Sequence, residues 1–213
     1  SEEKLDDLSA AAVCGSHVIV YSQNSNVMLF DSSFNIVSSI ILPDVTGFIF
    51  CNDYIAIAFY SAESSNAVIT LYTQQLIPTD CVLQVGSCVH SMAYVEHSSE
   101  LFVGTSSNLV LRFKMDSDQA TSVVFRGEQA VSVVPIEDAV LIISDRTFIF
   151  KDKLLKIGLP QLETACHNGK GRFLGLTKLN EIIEVAPDLG CGDLRIKRTV
   201  IGRNGVPFDV QGI

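Results

Sequence analysis

Tryptophan is absent from the 213 residues, so there is no Trp-Asp dipeptide and the standard WD repeat is excluded. Apolar runs long enough for a membrane helix are missing too. The longest, such as residues 54–60, are strand-sized, well short of the ~20 residues a span needs. Helical periodicity is almost absent. Basic residues are scarce: 15 Lys and Arg stand against 24 Asp and Glu, a formal net charge of −9. Direct nucleic-acid binding, which rests on neutralising phosphates, is therefore not expected. Residues 1–8 (SEEKLDDL) are acidic, the reverse of a basic leader, so no secretory signal is expected. With 47% hydrophobic and 18% charged residues, the chain is too apolar for disorder and long enough to bury a core.

Catalytic and metal-binding patterns are also wanting. Neither GxSxG, GxxxxGK[ST] nor HExxH occurs. Gly169, Lys170 and Gly171 read as a turn, because no suitably spaced glycine precedes them and no helical pattern follows. The cysteines Cys14, Cys51, Cys81, Cys88, Cys166 and Cys191 form no CxxC pair. They read as reduced thiols of a nuclear or cytoplasmic protein. His17, His90, His97 and His167 stand at no convincing ligand spacing. Cys88 and His90 lack a second pair, and adjacent Cys166 and His167 would point to opposite strand faces. Glu181 and Glu184 would also face opposite sides of a strand, a poor geometry for shared acid–base work. No cofactor, metal or catalytic residue is expected.

What is present is a repeat. Five pairs of short β-rich runs are each joined by a small polar turn: 17–21 with 27–30, 54–60 with 67–72, 101–103 with 109–113, 140–143 with 147–150, and 173–176 with 181–185. They recur roughly every 33–47 residues, the period of propeller blades. Val, Ile, Phe and Tyr fill the runs, and Ser, Asn, Asp and Gly the joints. Further runs at 36–41, 81–85, 122–125 and 194–201 supply outer strands. The pattern predicts an all-β fold, a β-propeller with about five recognisable blades, on their own or within a seven-bladed ring. A β-sandwich needs fewer such units. Residues 1–10 read as an acidic lead-in and 11–213 as blades, expected to be a segment of a longer polypeptide. Ile55, Ile57, Val103, Ile142 and Leu174 are taken as inner-strand positions, and their apolar character argues against a small-molecule site in the channel.

Basic residues concentrate late. Arg195, Lys197, Arg198 and Arg203 form the candidate partner-binding patch. Arg195 and Lys197 would share one strand face with Ile196 on the other.

The last third carries a resemblance. Residues 139–146 (AVLIISDR) lead into 147–150, a short run at 153–157, the segment 162–166 (LETAC), the run 173–176, and 194–201 (LRIKRTVI) followed by Pro207. This order resembles the end of the middle propeller in the triple-propeller family of the damaged-DNA-binding large subunit, the cleavage-and-polyadenylation specificity large subunit and a spliceosomal propeller subunit. Residues 100–105 with 109–113 look like an earlier blade of the same propeller. Thr147 stands where that family often has Pro, and Phe208 where it often has Arg. The resemblance implies a non-catalytic scaffold whose partners are other proteins. These would be a cullin, in an adaptor propeller of a cullin-RING ubiquitin ligase or DNA-damage complex, or the subunits of an mRNA 3′-end processing or splicing complex. A small-molecule-binding or enzymatic propeller is a third reading, and a trafficking propeller a fourth.

Overall fold

The structure is a computed structural model that describes residues 8–22, 24–61, 66–115, 120–167, 172–186, 197–203 and 206–207. It is an all-β propeller assembled from five antiparallel meanders. Blade one holds β1 (Leu8–Cys14), β2 (His17–Ser22), β3 (Asn26–Phe30) and β4 (Ile36–Ile41). Blade two holds β5 (Val45–Cys51), β6 (Tyr54–Ser61), β7 (Asn66–Thr73) and β8 (Pro78–Gln84). Blade three holds β9 (Val89–Val95), β10 (Glu100–Thr105), β11 (Leu109–Lys114) and β12 (Ala120–Arg126). Blade four holds β13 (Ser132–Ile136), β14 (Ala139–Ile143), β15 (Thr147–Phe150) and β16 (Leu154–Ile157). Blade five holds β17 (Leu162–His167), β18 (Phe173–Thr177), β19 (Glu181–Ala186) and β20 (Lys197–Arg203), with β21 (Val206–Pro207) added at its edge. The first strands adjoin in series: β1 beside β5, β5 beside β9, β9 beside β13, and β13 beside β17.

The period of two along a strand explains how blades stack. In β10, Leu101 and Val103 turn to blade two while Phe102 between them turns to blade four. In β14, Val140 and Ile142 face blade three, and Leu141 and Ile143 face blade five. In β6, Ile55 and Ile57 face blade one, and Ala56 and Ala58 face blade three. These second strands are covered on both sides, hence their unbroken apolar sequences. The result is one core per blade junction. Each fully buried Ile, Leu or Phe contributes about 1.5–3 kcal/mol, and Ile19, Ile57, Leu101, Phe113, Leu141 and Phe173 are all under 2% exposed. A slip of one residue would exchange the two faces of a blade, so register is strongly specified.

The turns carry their own fasteners. At the β10–β11 joint, Asn108 takes φ +59° and its amide donates to Thr105 O, while Thr105 Oγ1 accepts from Leu109 N. The β18–β19 joint repeats this with Asn180 at φ +59° and Thr177 Oγ1 accepting from Leu179 N and Glu181 N. Thr73 Oγ1 does the same for Gln75 N and Ile77 N after β7, and Asp31 Oδ1 for Ser33 N and Asn35 N after β3. Short side-chain acceptors hold a left-handed residue that L-amino acids otherwise avoid. The bond from Asn35 N first, then that from the Asn35 side-chain amide and the bond from Ser33 N, hold the Asp31 carboxyl below its ordinary value.

The five expected hairpins are the second and third strands of the five blades, and three of the expected outer runs are β4, β8 and β12. One assignment needs correction. Ile55, Ile57, Val103, Ile142 and Leu174 lie on second strands, and the first four of them pack in the junction cores. The innermost positions belong to the first strands, which mix small, polar and aromatic residues, as in VHSMAYV of β9. Ile55, Ile57, Val103 and Ile142 therefore face neighbouring blades, and their apolar character does not describe the channel. β1 begins at Leu8, so Leu8, Ser9 and Ala10 belong to the first blade and not to the acidic lead-in expected over residues 1–10.

Candidate functional site

Three turns meet where blades three and four part. The first joins β9 to β10 through a 3-10 turn at Glu96–Ser98, closed by Ser99 at φ 51°. The second is the two-residue turn of Glu137 and Asp138 between β13 and β14, with Glu137 at φ 49°. The third carries Lys151, Asp152 and Lys153 between β15 and β16. They rim a cleft of about 320 Å³ lined by His97, Ser98, Asp138, Lys151 and Asp152 above Glu100, Phe102, Arg112 and Phe150.

The floor combines aromatic rings with an ion pair. Phe102 and Phe150 come from adjacent blades, their centroids 5.7 Å apart at a tilt of 59°, a favoured aromatic geometry. Arg112 Nη2 donates to Glu100 Oε1 at 2.5 Å, with the two side chains 32% and 9% exposed. The ladder pairs Arg112 with Phe102 and Glu100 with Lys114, so the ion pair crosses the β10–β11 ladder diagonally. The guanidinium also sits 5.9 Å from the centroid of Phe150, tying blade three to blade four through a cation–π contact. On the rim, Lys151 donates to Asp138, and this bond raises the lysine pKa above its ordinary value.

A polar seam lies at the same junction. Ser91 Oγ donates to Val131 O at 3.3 Å and accepts from Val133 N at 2.9 Å, joining β9 to the entry of blade four. Gly104 is required here, since a Cβ on it would lie 2.5 Å from Val131 O and 2.6 Å from Ser91 Oγ.

Chemically, the cleft offers charged and hydroxyl groups of both signs over an aromatic floor. That combination suits a segment presenting an apolar or aromatic side chain between polar groups. Of the candidates from sequence, Arg195 lies outside the described residues. Lys197, Arg198 and Arg203 fall on β20, opposite Ala186, Val185 and Glu181, with only their backbone described. They belong to blade five, and the cleft to blades three and four. Gly169, Lys170 and Gly171 also lie outside the described residues. Glu181 and Glu184 alternate along β19 as expected, and Glu184 pairs with Arg172 at 3.5 Å. Of the thiols, Cys51 is buried, Cys81 is half-buried, and Cys88 and Cys166 are exposed. Among the described residues, no group of three or more His, Cys, Asp or Glu side chains is placed to hold a metal ion, and no helix is long and apolar enough to cross a membrane.

No family model and no curated protein matches the chain. Among solved structures, it is similar to a chain of the crystal structure of the mitotic checkpoint complex, with a TM-score of 0.70 and 12% identity over 89% of this chain and 63% of that one. It is also similar to the computationally designed Ika8 protein, with a TM-score of 0.67 and 11% identity over 89% of this chain and 61% of that one. The chain thus spans less than two thirds of the length of either. Similarity at such identity is similarity of fold, and it agrees with the propeller architecture.

Proposed function

We propose that this chain is a non-catalytic protein-interaction scaffold, and that the cleft between blades three and four is one of its contact sites. The observation that carries this reading is the cleft itself, an aromatic floor under a solvent-facing rim of mixed charge, mounted on strands packed on both sides. Rigid elements presenting loops are the usual setting for recognition. The finer reading is an adaptor in a nuclear or cytoplasmic cullin-RING ubiquitin ligase or DNA-damage complex. It rests on the resemblance carried by residues 139–207.

The test is affinity purification of the intact natural polypeptide from its own cells, side by side with the rim variant Asp138→Lys. Partners that are recovered with the wild type and depleted with the variant support the scaffold and its cleft. A cullin with its RING subunit among them supports the adaptor reading, whereas polyadenylation or splicing subunits transfer the scaffold to RNA processing. Equal recovery with both proteins removes the cleft as a contact, and recovery of no protein with either overturns the scaffold reading.

A further inference from the structure

The floor and the rim of the cleft between blades three and four differ in charge. On the floor, Arg112 and Glu100 neutralise one another beside the rings of Phe102 and Phe150. The rim does not balance. Its three turns hold Glu96, Glu137, Asp138 and Asp152 against Lys151 and Lys153, with His97 the remaining titratable group. That is four carboxylates to two ammonium groups. The first of these turns is braced from both ends: Asn52 of blade two donates to Tyr94 OH at 2.7 Å near the end of β9, and Ser99 N donates to Glu96 O.

Lys151 is the cation on which these carboxylates converge. Its ammonium donates to Asp138. That bond first, and then the charges of Asp138, Asp152 and Glu137, favour the charged lysine. Three carboxylates from two turns thus act on one ammonium. The side chains of Lys151 and Asp138 are 42% and 35% exposed. Water competes for a bond so placed, and a second cation is able to displace the lysine from it.

Building on the reading of the cleft as a contact site, we infer that its partner is a basic protein segment. An apolar side chain of that segment lies over Phe102 and Phe150, and a neighbouring lysine or arginine replaces Lys151 between Asp138, Asp152 and Glu137. The apolar residue answers a floor that has no net charge to satisfy. The cation answers the rim, whereas an acidic residue there would face the surplus carboxylates and a chain of net charge −9. Exchange of one cation for another also keeps the Asp138 carboxylate in a charge-assisted hydrogen bond.

The test is an NMR titration of the isotopically labelled 213-residue chain with two end-blocked peptides, Gly-Ser-Leu-Arg-Ser-Gly and Gly-Ser-Leu-Glu-Ser-Gly. The backbone amides of Ser98, Ala139, Phe150 and Asp152 report on the cleft. The arginine peptide should shift them saturably, with an affinity at least roughly tenfold above that of the glutamate peptide. Asp152→Asn should weaken the arginine peptide by about threefold. Lys151→Gln should tighten it by about threefold, a gain that a damaged fold would not produce. Asp53→Asn, which removes a turn carboxylate of blade two outside the cleft, should change nothing. A glutamate peptide that shifts the same amides as strongly overturns the inference and leaves the cleft a contact site. An arginine peptide that leaves the four amides unmoved overturns the inference as well. So does Asp152→Asn or Lys151→Gln acting in any other direction, or Asp53→Asn acting as Asp152→Asn does. In each of these last cases the cleft as a contact stands or falls on the Asp138→Lys purification.

Discussion

The junction between blades one and two and that between blades three and four solve one packing problem in different ways. The first is an aliphatic core of Ile19, Val27, Leu29, Ile55 and Ile57 with Tyr72 and Leu76, and a peripheral hydrogen bond from Ser38 to Gln75. The second also has a core, yet threads polar groups through it: Ser91 bonded to the Val131 and Val133 backbone, and Glu100 with Arg112 over Phe150. Aliphatic contact is non-directional and tolerates small slides, whereas hydrogen bonds and ring contacts fix distance and angle. The polar junction opens into the cleft between blades three and four.

The largest expected break in this comparison comes from Glu100→Ala. It removes the carboxylate from a mostly buried guanidinium and should cost about 1–3 kcal/mol in urea unfolding. That is less than the loss expected of a fully buried pair, because Arg112 remains 32% exposed. Next comes a pair of glycines. Gly104→Ala should destabilise by about 1–3 kcal/mol, since the new methyl meets the backbone oxygen of Val131 at 2.5 Å. Gly47→Ala, whose methyl meets only the end of Met92 at 3.5 Å, should stay within about 0.5–1 kcal/mol of wild type by the same assay. The smallest effect belongs to the exposed turn of blade one. Because folding depresses the Asp31 pKa, its contribution is complete above the ordinary value of 3.8 and is lost as pH falls through the lower folded value. The Tm advantage of the wild type over Asp31→Asn should shrink through that acid window and hold steady at neutral pH.

The sequence displayed the second and third strands of every blade because they are buried on both faces and joined by short polar turns. The first strands were harder to see. Those of blades one and three, LSAAAVC and VHSMAYV, dilute their apolar residues with small and polar ones, as positions near the axis allow. The cleft was partly within reach. Glu100 and Arg112 flank a turn whose Thr105 and Asn108 mark it in sequence, and counting back across that turn brings the two side chains to neighbouring rungs. Its other half was not within reach: nothing local to Phe150, Asp138 or Lys151 says which blade they will face. The basic cluster drew attention by composition alone, which does not carry position.

Meander connectivity also bears on how the chain acquires its fold. Every sheet is made of strands that follow one another, so each pairing step closes only a short loop, and the entropy lost before contacts form is small. Long-range pairing, the slow step of many β proteins, is confined here to side-by-side stacking of finished blades. No pairing within blade one needs a residue of a later blade, so its ladder is able to form in the order in which its strands are synthesised.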